Sequence, residues 1–243
     1  MKFRLISRVL GIGLISFSFL QLTPILVSII YSEENISAFA YSFAITLVFG
    51  SFLYLINFEK KYDGIRVKEG FLLTVLLWLF FTIFATIPLV LGTKNELSLV
   101  SAYFEATSGL TTTGATIFSD LSNEYYSILF YRGLLQWVGG LGIIVLAIAL
   151  MPLIGIGGIQ LYRGETQGPI NQSKLRPKIA ETAKVLVYIY LILTLLCFSS
   201  YFLAGMSYFD AIVHSFTTIA IGGFSNYNES FAYFDNNTIY LLA

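Results

Sequence analysis

The chain has 243 residues, 56% of them apolar and only 12% charged, with 14 basic side chains balanced by 14 acidic ones. Soluble domains carry about 25% charged residues, so the composition is that of an integral membrane protein, and the zero net charge leaves no basic face for nucleic acid. Its one cysteine, Cys197, has no internal partner and reads as a small residue of an apolar run. No Cys/His cluster, Ser/His/Asp constellation or HExxH pattern is present, so neither a resident metal, a cofactor nor an enzyme is expected.

The N-terminus is basic (Lys2, Arg4, Arg8) and runs into an apolar stretch at residues 9–31. A cleavable signal has about 7–15 apolar residues and a small-x-small site; this stretch is longer and reads as a retained span. About 20 apolar residues cross the hydrocarbon as a helix. Residues 36–58, 71–91, 125–150 and 185–203 meet that requirement, and TIYLLA at the C-terminal end reads as the opening of a sixth span cut short. Pro88 and Pro152 are expected to kink or end their helices.

Cytoplasmic loops are enriched in Lys and Arg. With the N-terminus inside, Lys2, Arg4, Arg8, Lys60, Lys61, Arg66, Lys68, Arg163, Lys174, Arg176, Lys178 and Lys184 are all cytoplasmic. Lys94 alone is then outside, and Arg132 falls within a span. The outer segments carry Glu33, Glu34, Glu96, Asp120, Glu124, Glu229 and Asp235, which either concentrate cations at a pore mouth or simply follow from topology.

Between the third and fourth spans lies AYFEATSGLTTTGATIFSD, too polar to cross a membrane alone. Non-helical backbone at membrane depth survives only when buried in protein or lining a watery cavity, so this stretch reads as a re-entrant loop. Laid without gaps over the stretch from Asp210, it pairs Ala102 with Ala211, Ser108 with Thr217, Gly114 with Gly223 and Thr116 with Ser225. Each copy follows a span running from inside to outside, so the unit is span, loop, span, repeated in parallel. Inverted repeats would point to alternating access; parallel ones point to a pseudo-symmetric ring. The expected fold is thus an all-α membrane protein with two re-entrant pore loops. Its parts are two leading helices at 1–66, a first repeat at 67–156, a cytoplasmic connector at 157–181 and a second repeat at 182–243.

A dehydrated K⁺ needs oxygens in place of its water shell, and rings of backbone carbonyls supply them in potassium filters. Aiming successive carbonyls at one axis requires backbone angles that glycine adopts readily; Gly114, and Gly223 with Gly222, are expected to meet that need. The filter is assigned to Thr111, Thr112, Thr113, Gly114 and Ala115 in the first loop and to Ala220, Ile221, Gly222, Gly223 and Phe224 in the second, with K⁺ at Thr112, Thr113, Ile221 and Gly222. Neither segment carries a charge. Short helices at about 102–110 and 210–216 would point their C-terminal ends, each bearing about half a negative charge, at the pore.

Each of these signals has a plainer alternative. The threonines can serve as helix-packing contacts. Gly139, Gly140 and Gly142 favour close helix contact over a gating flexure. Glu105 either pairs structurally, with Arg132 as the partner, or acts on ions. His214 reads as a hydrogen-bonded core residue rather than a pH sensor, and Asp210 as a helix N-cap rather than an ion attractor. The glycine string at 155–169 is no phosphate cradle, since no strand precedes it.

FEATSGLTTTGAT (104–116), LLQWVGGLGIIVLAIALMPLIGIGGIQLYRGET (134–166), KLRPKIAETAK (174–184) and GGFS (222–225) carry a resemblance. The chain resembles the N-terminal half of the Trk/Ktr-type potassium uptake proteins, the TrkH/KtrB family of membrane subunits. The resemblance implies K⁺ as the transported ion and four span–loop–span units around one pore, with one key glycine per loop, here Gly114 and Gly223. It also implies a bacterial inner-membrane location, a homodimer for the full-length protein, and a cytosolic nucleotide-binding regulatory subunit docking on the 155–169 loop, for which a plain connector is the alternative. Two loops make half a ring, so the rival expectation is an incomplete chain that packs against other membrane proteins without conducting.

Overall fold

The computed structural model describes residues 3–56, 67–154 and 172–243. Every regular element among them is helical: α1 Phe3–Leu20, α2 Thr23–Ile30, α3 Ile36–Leu55, α4 Val67–Gly92, α5 Leu99–Leu110, α6 Tyr126–Ile154, α7 Gln172–Leu203, α8 Tyr208–Ile219, a 3-10 turn Ser230–Phe234, and α9 Asn237–Leu242. Five stretches are long and apolar enough to cross a membrane: Phe3–Ile30, Ile36–Leu55, Lys68–Gly92, Tyr126–Ile144 and Glu181–Leu203. They match the five runs expected from the sequence, and the molecule is a multi-pass membrane protein.

The first span departs from expectation in being broken. Pro24 lacks an N–H, and its ring opposes the carbonyl four residues back. That carbonyl, of Leu20, instead accepts the Thr23 hydroxyl at 2.8 Å, and the chain turns at Gln21 and Leu22 before α2 resumes. Gln21 is buried at the break; its amide donates to Phe84 O at 3.3 Å and accepts the Ser42 hydroxyl at 3.0 Å. Pro88 lies within α4, and Pro152 lies in the last turn of α6. The 155–169 loop lies outside the described residues, while α7 is helical from Gln172, through part of the segment assigned to the connector.

Without a hydrophobic drive between helices in lipid, small residues allow the close approach that dispersion needs. A Cβ on Gly11 of α1 would stand 2.7 Å from Gly50 O of α3, so these two helices meet backbone to backbone. Leu14, Phe39, Leu89, Ala106, Ile128 and Leu135 belong to one apolar core shared by α1, α3, α4, α5 and α6. Tyr201, Met206, Ala211 and Ile239 form a second one around α7, α8 and α9.

Candidate functional site: two re-entrant loops and their braces

Both short helices exist and both stop inside the protein. Each has 12 residues, α5 and α8, about 18 Å at 1.5 Å per residue, well short of the ~30 Å hydrocarbon core. They start earlier than expected because serines cap them: Ser98 Oγ accepts from Ser101 N at 3.1 Å, and Ser207 Oγ accepts from Asp210 N at 3.1 Å. Asp210 is therefore not the N-cap. It sits at the third helical position and its carboxylate accepts bonds from the Ser207 hydroxyl (2.6 Å), Asn226 Nδ2 (2.8 Å) and the Tyr227 hydroxyl (3.1 Å). Burial, with the Asp210 charge beside it, pushes the Tyr227 phenol well above its ordinary range, so it remains the donor.

The two helices end alike. Thr113 N donates to Ser108 O at 2.9 Å and Thr112 N to Gly109 O at 3.0 Å; Gly222 N donates to Thr217 O at 2.8 Å and Ile221 N to Thr218 O at 2.9 Å. Both are Schellman closures, which place the residue after the C-cap in left-handed backbone, usually a glycine. Here Thr112 (φ 54°) and Ile221 (φ 55°) occupy it, followed two residues later by Gly114 (φ 78°) and Gly223 (φ 81°). A left-handed β-branched residue is strained by about 1–3 kcal/mol, and such strain clusters at functional sites. Of the expected glycines, Gly114 and Gly223 have positive φ and Gly222 does not. Gly222 is small for another reason: an added Cβ would land on the amide of Gln136. Thr111 and Thr113 share a hydroxyl hydrogen bond at 2.8 Å. Ile221 is 89% exposed, Phe224 and Ala220 are buried, and Ala115 is exposed.

Matching residues of α5 and α8 brace the loops. Glu105, fully buried, accepts the Thr116 hydroxyl at 2.9 Å, Ile117 N at 3.0 Å and Arg132 Nε at 2.8 Å. Its counterpart His214 contacts Asp210 O through Nδ1 at 2.9 Å and Ser225 Oγ through Nε2 at 3.1 Å. A carbonyl only accepts, so Nδ1 carries a proton. The expected Glu105–Arg132 pair is present, and His214 is a satisfied core residue. Arg132 does more than neutralise Glu105. Its other nitrogens donate to Thr116 Oγ1 and Ser225 O, both at 3.0 Å, and its guanidinium lies 4.3 Å from the Phe224 ring centroid. One side chain on α6 thereby ties both loops together, beside a cavity of about 290 Å³ lined by Gly114, Thr116, Phe118, Gly223, Ser225 and Tyr227.

Gln136, one turn after Arg132, was missed in the sequence, although a glutamine inside an apolar span is a functional signal. It is fully buried; Nε2 donates to Gly222 O at 2.8 Å and Oε1 accepts Phe224 N at 3.1 Å. Of Gly139, Gly140 and Gly142 on α6, the first two act as contact points, as expected. A Cβ on Gly139 would overlap the Leu110 carbonyl, and one on Gly140 would come within 3.2 Å of Ala220, whereas Gly142 faces open space. Gly139→Ala should therefore destabilise the protein by about 1–3 kcal/mol, the usual range for overpacking, whereas Gly142→Ala, in open space inside the helix, should stabilise it by about 0.5–1 kcal/mol. Thermal unfolding of both variants in detergent checks this contrast.

The family described as TrkH, cation transport protein, matches residues 35–243. The chain belongs to the TrkH family of cation transport proteins. It is 47% identical over 239 residues to the Trk system potassium uptake protein TrkH of Escherichia coli K12, covering 98% of this chain and 49% of that protein. It is 45% identical to TrkH of Halomonas elongata, covering all of this chain and 50% of the relative. The crystal structure of the potassium transporter TrkH from Vibrio parahaemolyticus superposes with a TM-score of 0.87 at 42% identity, covering 100% of this chain and 48% of that one. The chain thus spans about half the length of the TrkH relatives it matches.

Proposed function

We propose that this chain supplies half of a potassium pathway across the membrane, with residues 111–115 and 220–224 as two walls of its filter. The observation that carries the reading is the repeated backbone: two charge-free loops, each leaving the C-terminal end of a short helix, with left-handed residues at the same two places. The sequence assigns K⁺ contacts to Thr112, Thr113, Ile221 and Gly222; because the buried Gly222 carbonyl is taken up by Gln136 Nε2 at 2.8 Å, the contacts proposed here are those of Thr112, Thr113 and Ile221. The helix ends add about half a negative charge each toward the cation. Because Glu105 neutralises Arg132, the guanidinium beside the cavity presents no uncompensated charge to an entering ion.

The relatives are named as potassium uptake proteins, and transport rather than enzymatic chemistry is the role proposed here. The membrane is a bacterial inner membrane with the N-terminus cytoplasmic, lipid meets the exposed apolar faces, the full-length protein pairs as a homodimer, and a cytosolic nucleotide-binding subunit regulates it. Rb⁺ uptake by the purified protein in vesicles tests the transport reading. Uptake that K⁺ competes away and Na⁺ does not is the expected result. No uptake by the protein expressed from its gene overturns it in favour of a non-conducting packing subunit.

A further inference from the structure

We infer that Gln136 is the positioning residue of the second filter loop: its buried amide turns the Gly223 carbonyl toward the ion and thereby sets discrimination between K⁺ and Na⁺. The argument is geometric and rests on the potassium-pathway reading. Gly222 O belongs to the peptide plane before Gly223, and Phe224 N to the plane after it. Gln136 holds both, at 2.8 Å and 3.1 Å, much as a neighbouring strand would. In a trans peptide the C=O and N–H point in opposite directions, and no cis bond occurs in the described chain. With the Phe224 N–H drawn inward to Gln136, the Gly223 carbonyl on the same plane must point outward, and Gly223 is exposed.

Two features make this a built arrangement. Gly222 has no side chain where Gln136 needs the space. Gly223, between the two pinned planes, has a positive φ of 81°, backbone that glycine adopts without a side-chain clash. The first loop is held differently, through Glu105, Thr116 and Arg132, so removing Gln136 loosens one wall of the filter and leaves the other in place.

The test is carried out in bacteria lacking their own potassium uptake, expressing the gene that encodes this chain. Gln136→Leu removes both bonds at similar volume. The expected result is at least a tenfold fall in the ratio of Rb⁺ to Na⁺ uptake at equal amounts of protein in the membrane. Gln21→Leu, at an equally buried glutamine outside the loops, should lower the amount of protein and leave the ratio unchanged. If the leucine variant does not reach the membrane, Gln136→Met, unbranched and of similar length but with neither the Nε2 donor nor the Oε1 acceptor, gives the same comparison. A ratio within twofold of the unaltered protein overturns this inference alone. No Rb⁺ uptake by the unaltered protein overturns the pathway reading and this inference with it.

Discussion

Gly114→Ala should abolish Rb⁺ uptake, while Gly223→Ala should reduce it only about tenfold. Both glycines have positive φ, 78° and 81°, and a left-handed L-residue costs about 1–2 kcal/mol, roughly a factor of ten. They differ in their surroundings. A Cβ on Gly114 would run into the Gly222 carbonyl of the other loop, whereas one on Gly223 would meet nothing within 4 Å. The first substitution therefore forces the two loops apart and the second only strains one of them. Uptake measurements on both variants decide the matter; equal losses, or the reverse order, would show that the loops are not in the contact described.

Arg132→Met should prevent stable accumulation of the protein. It leaves Glu105 buried without a counter-charge, a loss of about 3–5 kcal/mol, and strips the donors from Thr116 Oγ1 and Ser225 O. Exchanging both partners for apolar residues is often far less damaging than breaking the pair. The double variant Arg132→Met, Glu105→Leu should thus recover much of the thermal stability in detergent. Transport should not return, because the link between the loops is still gone. Recovery of both stability and uptake would reduce Arg132 to a counter-ion.

The spans were legible because length and apolarity suffice to place a helix in hydrocarbon. The break at Gln21 was not, since Pro24 stands in an apolar run and only the rescue of Leu20 O by Thr23 shows how the helix turns there. The repeat was legible from Gly114 and Gly223, and the Glu105–Arg132 pair from the cost of a lone buried charge. The start of each short helix lay in plain view at Ser98 and Ser207 but was set too late, on Ala102 and Asp210. Thr112 and Ile221 could not have been chosen for left-handed backbone, because β-branched side chains disfavour it and only the closure of the preceding helix imposes it. Gln136 was overlooked because its partners are backbone groups far along the chain, which no side-chain pattern announces.

Helix α6 follows the first loop in sequence, yet Gln136 serves the second and Arg132 grips both. The contacts that brace the second loop therefore come from a helix that follows the first. A chimera that exchanges one span–loop–span unit between relatives cuts a loop away from the helix that shapes it. Grafts joined between residues 136 and 210 inherit mismatched halves, whereas a transplant carrying residues 99–225 moves both loops with their supports.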